Sequence, residues 1–389
     1  MRKMIVTLLL TLTILLQMPY TYSAPPTITV MSRNIYLGAD VAVAMEAIPN
    51  MPKAAQFMWD QVKQNDFSKR VKILANEINE SKPDLIGLQE ATTWFCKKNA
   101  WSKKTEVLNF TKQLISELNG KYQFAAKGEV TAYNPGYSIN PIPFLTKVKD
   151  PATFKPQFNQ DSAACGFETG DAILIKSSLV SAIKNVGNID YRDKYTIIPI
   201  LMKVTRGYTY LDLEINGQLI RFITTHLESL WDENKVPNAA KQATQLIEDQ
   251  KMNSLPTVIV GDFNSDPRDP RLTSDLNPGE QPIASQVCPE NSEICNAYKL
   301  MVRAGYTNAS PDVLNPLNYT WGMNALLTGV DPKRAVSAKQ MGNPYGFTDR
   351  LDYIFIKNGL TQKSSKIIGI KPPYGTDHAG LVSTLNLRK

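Results

Sequence analysis

The chain has only two histidines, and each stands among polar residues close to an apolar run. His226 closes Phe222-Ile223-Thr224-Thr225-His226, and His378 sits in Gly375-Thr376-Asp377-His378-Ala379. An imidazole titrates near neutral pH, so it can hold or move a proton under ordinary conditions. Several β-like runs also end in an acid or an amide: Asn34, Glu90 in Leu88-Gln89-Glu90, Asp262 and Asn264 in Gly261-Asp262-Phe263-Asn264, and Asp352 in Arg350-Leu351-Asp352-Tyr353. One aspartate in such a place is usually a turn former or a helix cap. A series of them, beside both histidines of the chain, reads differently, because α/β folds gather functional groups at strand ends. Oxygen donors of this kind suit a hard cation such as Mg²⁺.

For these groups to meet, the runs that carry them must lie side by side. Thr27-Ile28-Thr29-Val30-Met31 alternates as a first strand. Residues 66 to 80 place Phe67, Val71, Leu74, Ala75 and Ile78 at helical spacing, which predicts an amphipathic helix. Pro83-Asp84 then turns the chain into a buried strand from Leu85 to Glu90. A helix near 105 to 119 and a strand from Tyr122 to Ala126 follow. Further strands are read at Ala172 to Ile175, Thr196 to Lys203, Thr209 to Ile215 and Leu219 to Thr225, with Asn216-Gly217 as a hairpin turn. A helix at 238 to 251 leads to Thr257-Val258-Ile259-Val260, and the last strands are Leu351 to Ile356 and Leu381 to Leu387. Residues 131 to 162 carry Pro135, Pro141, Pro143, Pro151 and Pro156 among aromatics, which reads as a long loop or insertion, either a cover for a substrate site or a decorative surface loop. With no repeat or low-complexity linker, the pattern is one continuous α/β sandwich, helices covering packed sheets.

The 389 residues allow one large domain or two small ones, and 43% apolar and 20% charged residues are ordinary globular values. Met1-Arg2-Lys3, an apolar run from Met4 to Leu16 and the polar stretch to Ala24 read as a signal peptide, residues 1–23, cleaved after Ser23. A membrane anchor is the rival reading, but the run falls short of the roughly 20 apolar residues that span a bilayer, and no later stretch reaches that length. Loss of Arg2 and Lys3 lowers the net charge from +7 to +5, a basic balance that favours anionic partners without choosing among them. The expected product is a secreted or periplasmic protein, with residues 24–389 as its catalytic domain. Its four cysteines are expected to form disulfides. Cys288 with Cys295 closes a short loop and leaves Cys96 with Cys165. Zinc is the alternative, but no pair has C-x₂-C spacing and neither histidine lies near a cysteine.

The ordered series Arg33-Asn34, Leu88-Gln89-Glu90, Thr225-His226-Leu227, Gly261-Asp262-Phe263-Asn264, Arg350-Leu351-Asp352-Tyr353 and Thr376-Asp377-His378 resembles the endonuclease/exonuclease/phosphatase superfamily, over residues 27 to 387. The resemblance implies a four-layer α/β sandwich, two packed mixed β-sheets flanked by helices, and hydrolysis of a phosphoester with Mg²⁺, or Mn²⁺ in its place. Such a reaction needs charge neutralisation, an activated water and help for the leaving oxygen. Glu90 is the first choice of metal ligand, with Asn34 as helper, and by resemblance Asp377 joins them. His378 would act as general base or as electrostatic partner of the phosphate, with Asp352 fixing its tautomer. Asp262 would orient or deprotonate the water, while Asn264 and His226 would donate to phosphate oxygens. Asp171 matches a position that the family places near the phosphate. Arg350 reads as structural, and Asp40 is left outside the set. A nucleic acid is the favoured phosphodiester substrate, with a phospholipid or inositol phosphate as alternative. Segment 131–162 would then offer a peripheral membrane contact on a monomer. An inactive binding module on the same scaffold would lack one of these positions, and none is missing.

Overall fold

A computed structural model describes residues 25–198, 201–232, 236–269 and 293–387. The proposed signal peptide and Cys288 lie outside these residues. The site rests on ten strands: β1 (Thr27–Asn34), β2 (Leu85–Gln89), β3 (Thr93–Lys97), β4 (Tyr133–Ile139), β5 (Ser162–Lys176), β6 (Gly207–Ile215), β7 (Gln218–His226), β8 (Thr257–Asp262), β9 (Asp352–Lys357) and β10 (Gly380–Asn386). A twelve-stranded sheet runs through β4, β5, β2, β1 and β10, and a six-stranded sheet through β6, β7, β8 and β9. Both are mixed: β1 pairs parallel with β2 and antiparallel with β10, while β8 pairs parallel with β7 and antiparallel with β9.

The period-two alternation of these strands builds the layers. Val30, Leu85 and Ile173 of the large sheet meet Phe222, Val258, Val260 and Ile354 of the small one in a buried inter-sheet core. The intervening Ile223, Ile259 and Phe355 face outward, where Ala243, Leu246 and Met301 of helices α6 (Asn238–Asp249) and α7 (Ala297–Arg303) cover them. On the other side α2 (Met51–Asn65), α3 (Phe67–Ser81) and α4 (Phe110–Glu117) cover Met31, Ile86 and Leu174. The result is the four-layer sandwich. α1 (Val41–Glu46) enters it behind Asp40, whose carboxylate caps Val43 N at 3.1 Å.

Several boundaries differ from the sequence reading. The helix expected at 105–119 begins only at Phe110, because Asn109 caps it through Lys112 N (2.9 Å) and residues 105–109 pair with β3. The single strand expected from Thr196 to Lys203 is a hairpin of Tyr195–Ile198 and Met202–Val204. The largest correction concerns residues 131–162, which form no long loop. They hold β4, the short strand Lys147–Lys149 and α5 (Pro151–Phe158), all built into or against the large sheet. The prolines that argued against regular structure sit where it tolerates them. Pro135 lies opposite Gly170 at a register shift, and Pro151 opens a helix capped by Asp150. Ala132, Tyr137, Val148 and Phe154 of the segment are buried. Cys96 and Cys165 are direct cross-strand partners and are disulfide-bonded.

Candidate active site

Strand register alone brings half of the candidate residues together. His226, Asp262 and Asp352 are consecutive Cα partners across β7, β8 and β9, so they form a row at one end of the small sheet. Asn34 and Gln89 are partners at the matching end of β1 and β2 in the large sheet, which sets Glu90 just beyond. Asp377 and His378 arrive on the turn before β10. His378 Nδ1 lies 2.8 Å from Asp352 Oδ2, and its Nε2 lies 3.5 Å from Asp262 Oδ2. The same Asp262 oxygen is 3.5 Å from His226 Nε2 and accepts from the Asn34 amide at 3.2 Å. One carboxylate oxygen therefore joins both histidines and both sheets.

The row opens into a cleft of about 540 Å³, lined by Glu90, His226, Asp262, Asn264, Asp377 and His378, with Trp321 and Arg334 on one wall and Arg206 and Glu228 on another. Glu90, Asn264 and Tyr36 have left-handed backbones (φ 56, 45 and 56°). Such strain persists where surrounding structure over-determines it, as at functional sites. Glu90 is held there by Leu37 N at 2.6 Å and by the Asn34 amide at 3.3 Å.

Enclosure sets the charge states. Burial raises the Asp262 carboxyl to about 7, with His378 opposing the rise and Asp352 adding to it. Burial pushes His378 the other way, but Asp352, Asp262 and Asp377 outweigh it and raise that imidazole to about 10. His226 is driven well below its usual value by burial, by Arg206 and by His378. A donor faces each of its ring nitrogens: Arg206 Nη1 stands 3.1 Å from Nδ1, and the Asn264 amide nitrogen, which also donates to Leu227 O at 2.7 Å, stands 3.0 Å from Nε2.

Not every candidate lands where its role requires. Asp171 is no strand opener but a buried residue in the middle of β5. Its Oδ2 accepts from His226 N at 3.1 Å, behind the cleft wall. Asn34 directs its oxygen to Tyr36 N (2.9 Å) and its nitrogen to Glu90 and Asp262, so it braces the two acids. Arg350 is fully buried and donates to Asp352 O, Asn318 O and Ser310 Oγ, a structural role. Asp40 lines the cleft while capping α1. The sequence reading missed Arg206 with its partner Glu228 (3.1 Å), as well as Gln89, whose amide crosses to Thr224 Oγ1 at 2.8 Å and ties the sheets together. A glutamine inside the Leu-Gln-Glu strand was the one available signal for the second; nothing local marks Arg206.

The sequence pattern described as the Endonuclease/Exonuclease/phosphatase family matches residues 59–378. The chain belongs to this family. Endonuclease/exonuclease/phosphatase proteins are phosphoester hydrolases that generally use divalent metal ions. Among solved structures, a family protein from Leptotrichia buccalis is 18% identical, with 92% of this chain and 100% of the other covered and a TM-score of 0.49. A mannosyl-6-phosphatase from Bacteroides thetaiotaomicron is 13% identical over 92% and 100% of the two chains, at 0.47. TDP2 from D. rerio, complexed with a single-strand DNA product, is 14% identical over 93% and 99%, at 0.45. No curated protein matches by sequence.

The site fits the divalent cation of this family. Glu90 and Asp377 both line the cleft, and neither forms an ion pair with a lysine or arginine among the described residues. Enclosure together with Asp377 raises Glu90, and enclosure raises Asp377 against the pull of His378. Hard oxygen donors that disfavour their own negative charge are what a cation would relieve. Asp262, Asp352 and His378 also offer atoms within 4.8 Å of one another. Those atoms already face each other, and a proton-holding His378 has no lone pair to give.

Proposed function

We propose that this protein is an exported, Mg²⁺-dependent phosphodiester hydrolase, residues 24–389 acting as a monomeric catalytic domain once residues 1–23 are removed. The observation that carries the reading is the Asp352–His378–Asp262 line ending beside Glu90 and Asp377. Glu90 and Asp377 would hold Mg²⁺, or Mn²⁺ in its place, with Asn34 bracing Glu90. The ion would supply charge neutralisation to the phosphate and to the departing oxygen.

This chain's own groups divide the remaining work. Asp262, poised near neutrality, takes the proton of the attacking water. His378, kept charged by Asp352, faces the phosphate as an imidazolium. On this reading the aspartate, rather than the histidine, is the base. His226, held by Arg206, and Asn264, whose amide nitrogen lies beside its Nε2, are the groups assigned to the phosphate oxygens. Asp171 supports His226 through its backbone. The Cys96–Cys165 bond supports export to an oxidising compartment, since such bonds rarely persist in the cytosol.

The test is hydrolysis of bis(p-nitrophenyl) phosphate by the purified protein. Activity should require Mg²⁺, vanish in excess EDTA and return when the ion is restored. Glu90→Gln and His378→Ala should lower turnover by at least about 10²-fold while leaving the circular dichroism spectrum intact. Full turnover in chelator refutes the metal assignment.

A further inference from the structure

We propose that the catalytic cleft continues into a binding site for the apolar half of a phospholipid-type phosphodiester, with the Phe144–Leu145 tip meeting the lipid surface. This rests on the hydrolase reading above and names its substrate class.

The first observation is a second, narrow pocket of about 30 Å³ between α1, α2 and the large sheet, closed down to water-sized room in this conformation, which shares Val41, Met45 and Tyr137 with the cleft. Its lining is almost wholly apolar and includes Met45, Met51, Met58 and Met202. Methionine is unbranched and flexible, so such walls part for a chain more readily than packed valine or isoleucine.

The second observation lies in its two polar groups without partners. Tyr137 Oη and Trp94 Nε1 are buried with no hydrogen-bond partner, on residues 5% and 2% exposed, and both residues line the pocket. A buried donor left unpaired is costly, which favours a ligand that brings acceptor oxygens. A carbonyl next to a hydrocarbon chain, as in an acyl ester or an acyl amide, supplies both halves of that requirement.

The third is the loop between β4 and the strand Lys147–Lys149. Ile139 and Thr146 on its two flanks line the pocket, while Phe144 and Leu145 between them are 81% and 41% exposed. Phe144 also has a left-handed backbone (φ 70°), an unusual conformation for a bulky residue, which turns the chain at the tip. An exposed aromatic and leucine beside an apolar entrance suit the surface of a lipid aggregate.

Charge argues the same way. Eight carboxylates line the cleft, among them Asp40, Glu228, Asp269 and Asp331, against two arginines, Arg206 and Arg334, which pair with Glu228 and Asp349. No lysine lines it among the described residues. A polynucleotide needs a cationic track for the phosphates flanking the scissile one, and this cleft would repel them. A diester whose charge lies at one phosphate meets no such penalty. The nucleic-acid substrate favoured by the sequence reading thus gives way to its phospholipid alternative.

The experiment compares phosphatidylcholine vesicles, sphingomyelin vesicles, a single-stranded and a duplex oligonucleotide, and bis(p-nitrophenyl) phosphate, each with the full mature protein and Mg²⁺. At least one lipid should be cleaved more than about tenfold faster per diester than either oligonucleotide, and the two lipid arms separate an ester carbonyl from an amide. Tyr137→Phe should lower the ratio of lipid to bis(p-nitrophenyl) phosphate turnover about fivefold, one lost hydrogen bond to the lipid. A merely structural tyrosine would slow both. Phe144→Asp should reduce vesicle hydrolysis but spare a short-chain lipid below its micellar concentration. Oligonucleotides cleaved as fast as lipid, or equal losses on both substrates in Tyr137→Phe, overturn the proposal. Failure of every ester, the small one included, overturns the hydrolase reading instead.

Discussion

Asp262 and His378 stand 3.5 Å apart, and each alters the other's charge. A carboxyl that titrates at about 7 is a usable base, whereas an imidazole held to about 10 keeps its proton throughout the neutral range. The signs fix a pH profile. Below about 7 Asp262 is protonated and cannot accept from water, so kcat/KM rises with pH through that value. Above about 10 His378 loses its charge and the rate falls. At constant Mg²⁺, Asp262→Asn should lower kcat/KM by about 10³-fold and abolish the acidic limb. An acidic limb that survives in that variant assigns the base elsewhere. At this scale the sequence was most informative for residues that end strands, because a β-run followed by an acid announces its own position. It was silent on Arg206, which follows Thr205 into β6 without any motif, and it misjudged Asp171. Only the full length of β5 shows that aspartate to be internal.

Among the elements, β5 carries the most structure. Its 15 residues pair with β2, β3 and β4 along different stretches, and Cys165 on it is bonded to Cys96 on β3. The bond closes a chain separation of 69 residues, so in the chain-entropy picture its removal costs about 4 kcal/mol. Cys96→Ala with Cys165→Ala should lower the urea midpoint accordingly. Bis(p-nitrophenyl) phosphate turnover in the folded fraction should persist, since neither cysteine lines the catalytic cleft. A midpoint unchanged within error removes the bond from the stability of the fold. Elements with clean periodicity, β1, α3, β8 and the Asn216-Gly217 hairpin, were legible because burial and turn geometry impose a local repeat. Residues 131–162 were not, because proline acts there through bulge and helix-start positions that exist only once β5 is in place. The helices α1 and α2 also escaped notice. Met51, Ala54, Met58 and Val62 do recur at helical spacing on the buried face of α2, but methionine and alanine mark a core face less plainly than the Phe, Val, Leu and Ile of α3.

Across the whole molecule the site depends on contacts between distant parts of the chain. Gly87 on β2 lets the sheets approach, for a Cβ there would lie 2.3 Å from Val260 and 2.6 Å from Thr224. Arg33, 1% exposed, donates through Nη1 to His378 O, and its Nε and Nη2 each reach a Glu77 oxygen on α3 at 2.9 Å. Gly369 covers this pair, with room for no Cβ beside Arg33 Nη2 at 2.5 Å. One guanidinium thus fastens the turn carrying His378, 345 residues away, to the first strand and the third helix. No local pattern could reveal such a contact, although Arg33 sits next to Asn34 in the motif series. Removing one member of a buried pair leaves an uncompensated charge, so Arg33→Met should cost about 3–5 kcal/mol of stability. It should also lower kcat in the protein that remains folded, because the His378 backbone loses its anchor. Arg33→Met with Glu77→Leu replaces the pair by apolar packing and should recover most of the stability. It should not recover kcat, since the bond to His378 O is still missing. Chemical denaturation and steady-state kinetics on the single and double variants separate the two effects. A double variant restored in both rate and stability would show that His378 is held by its loop alone, without help from the first strand.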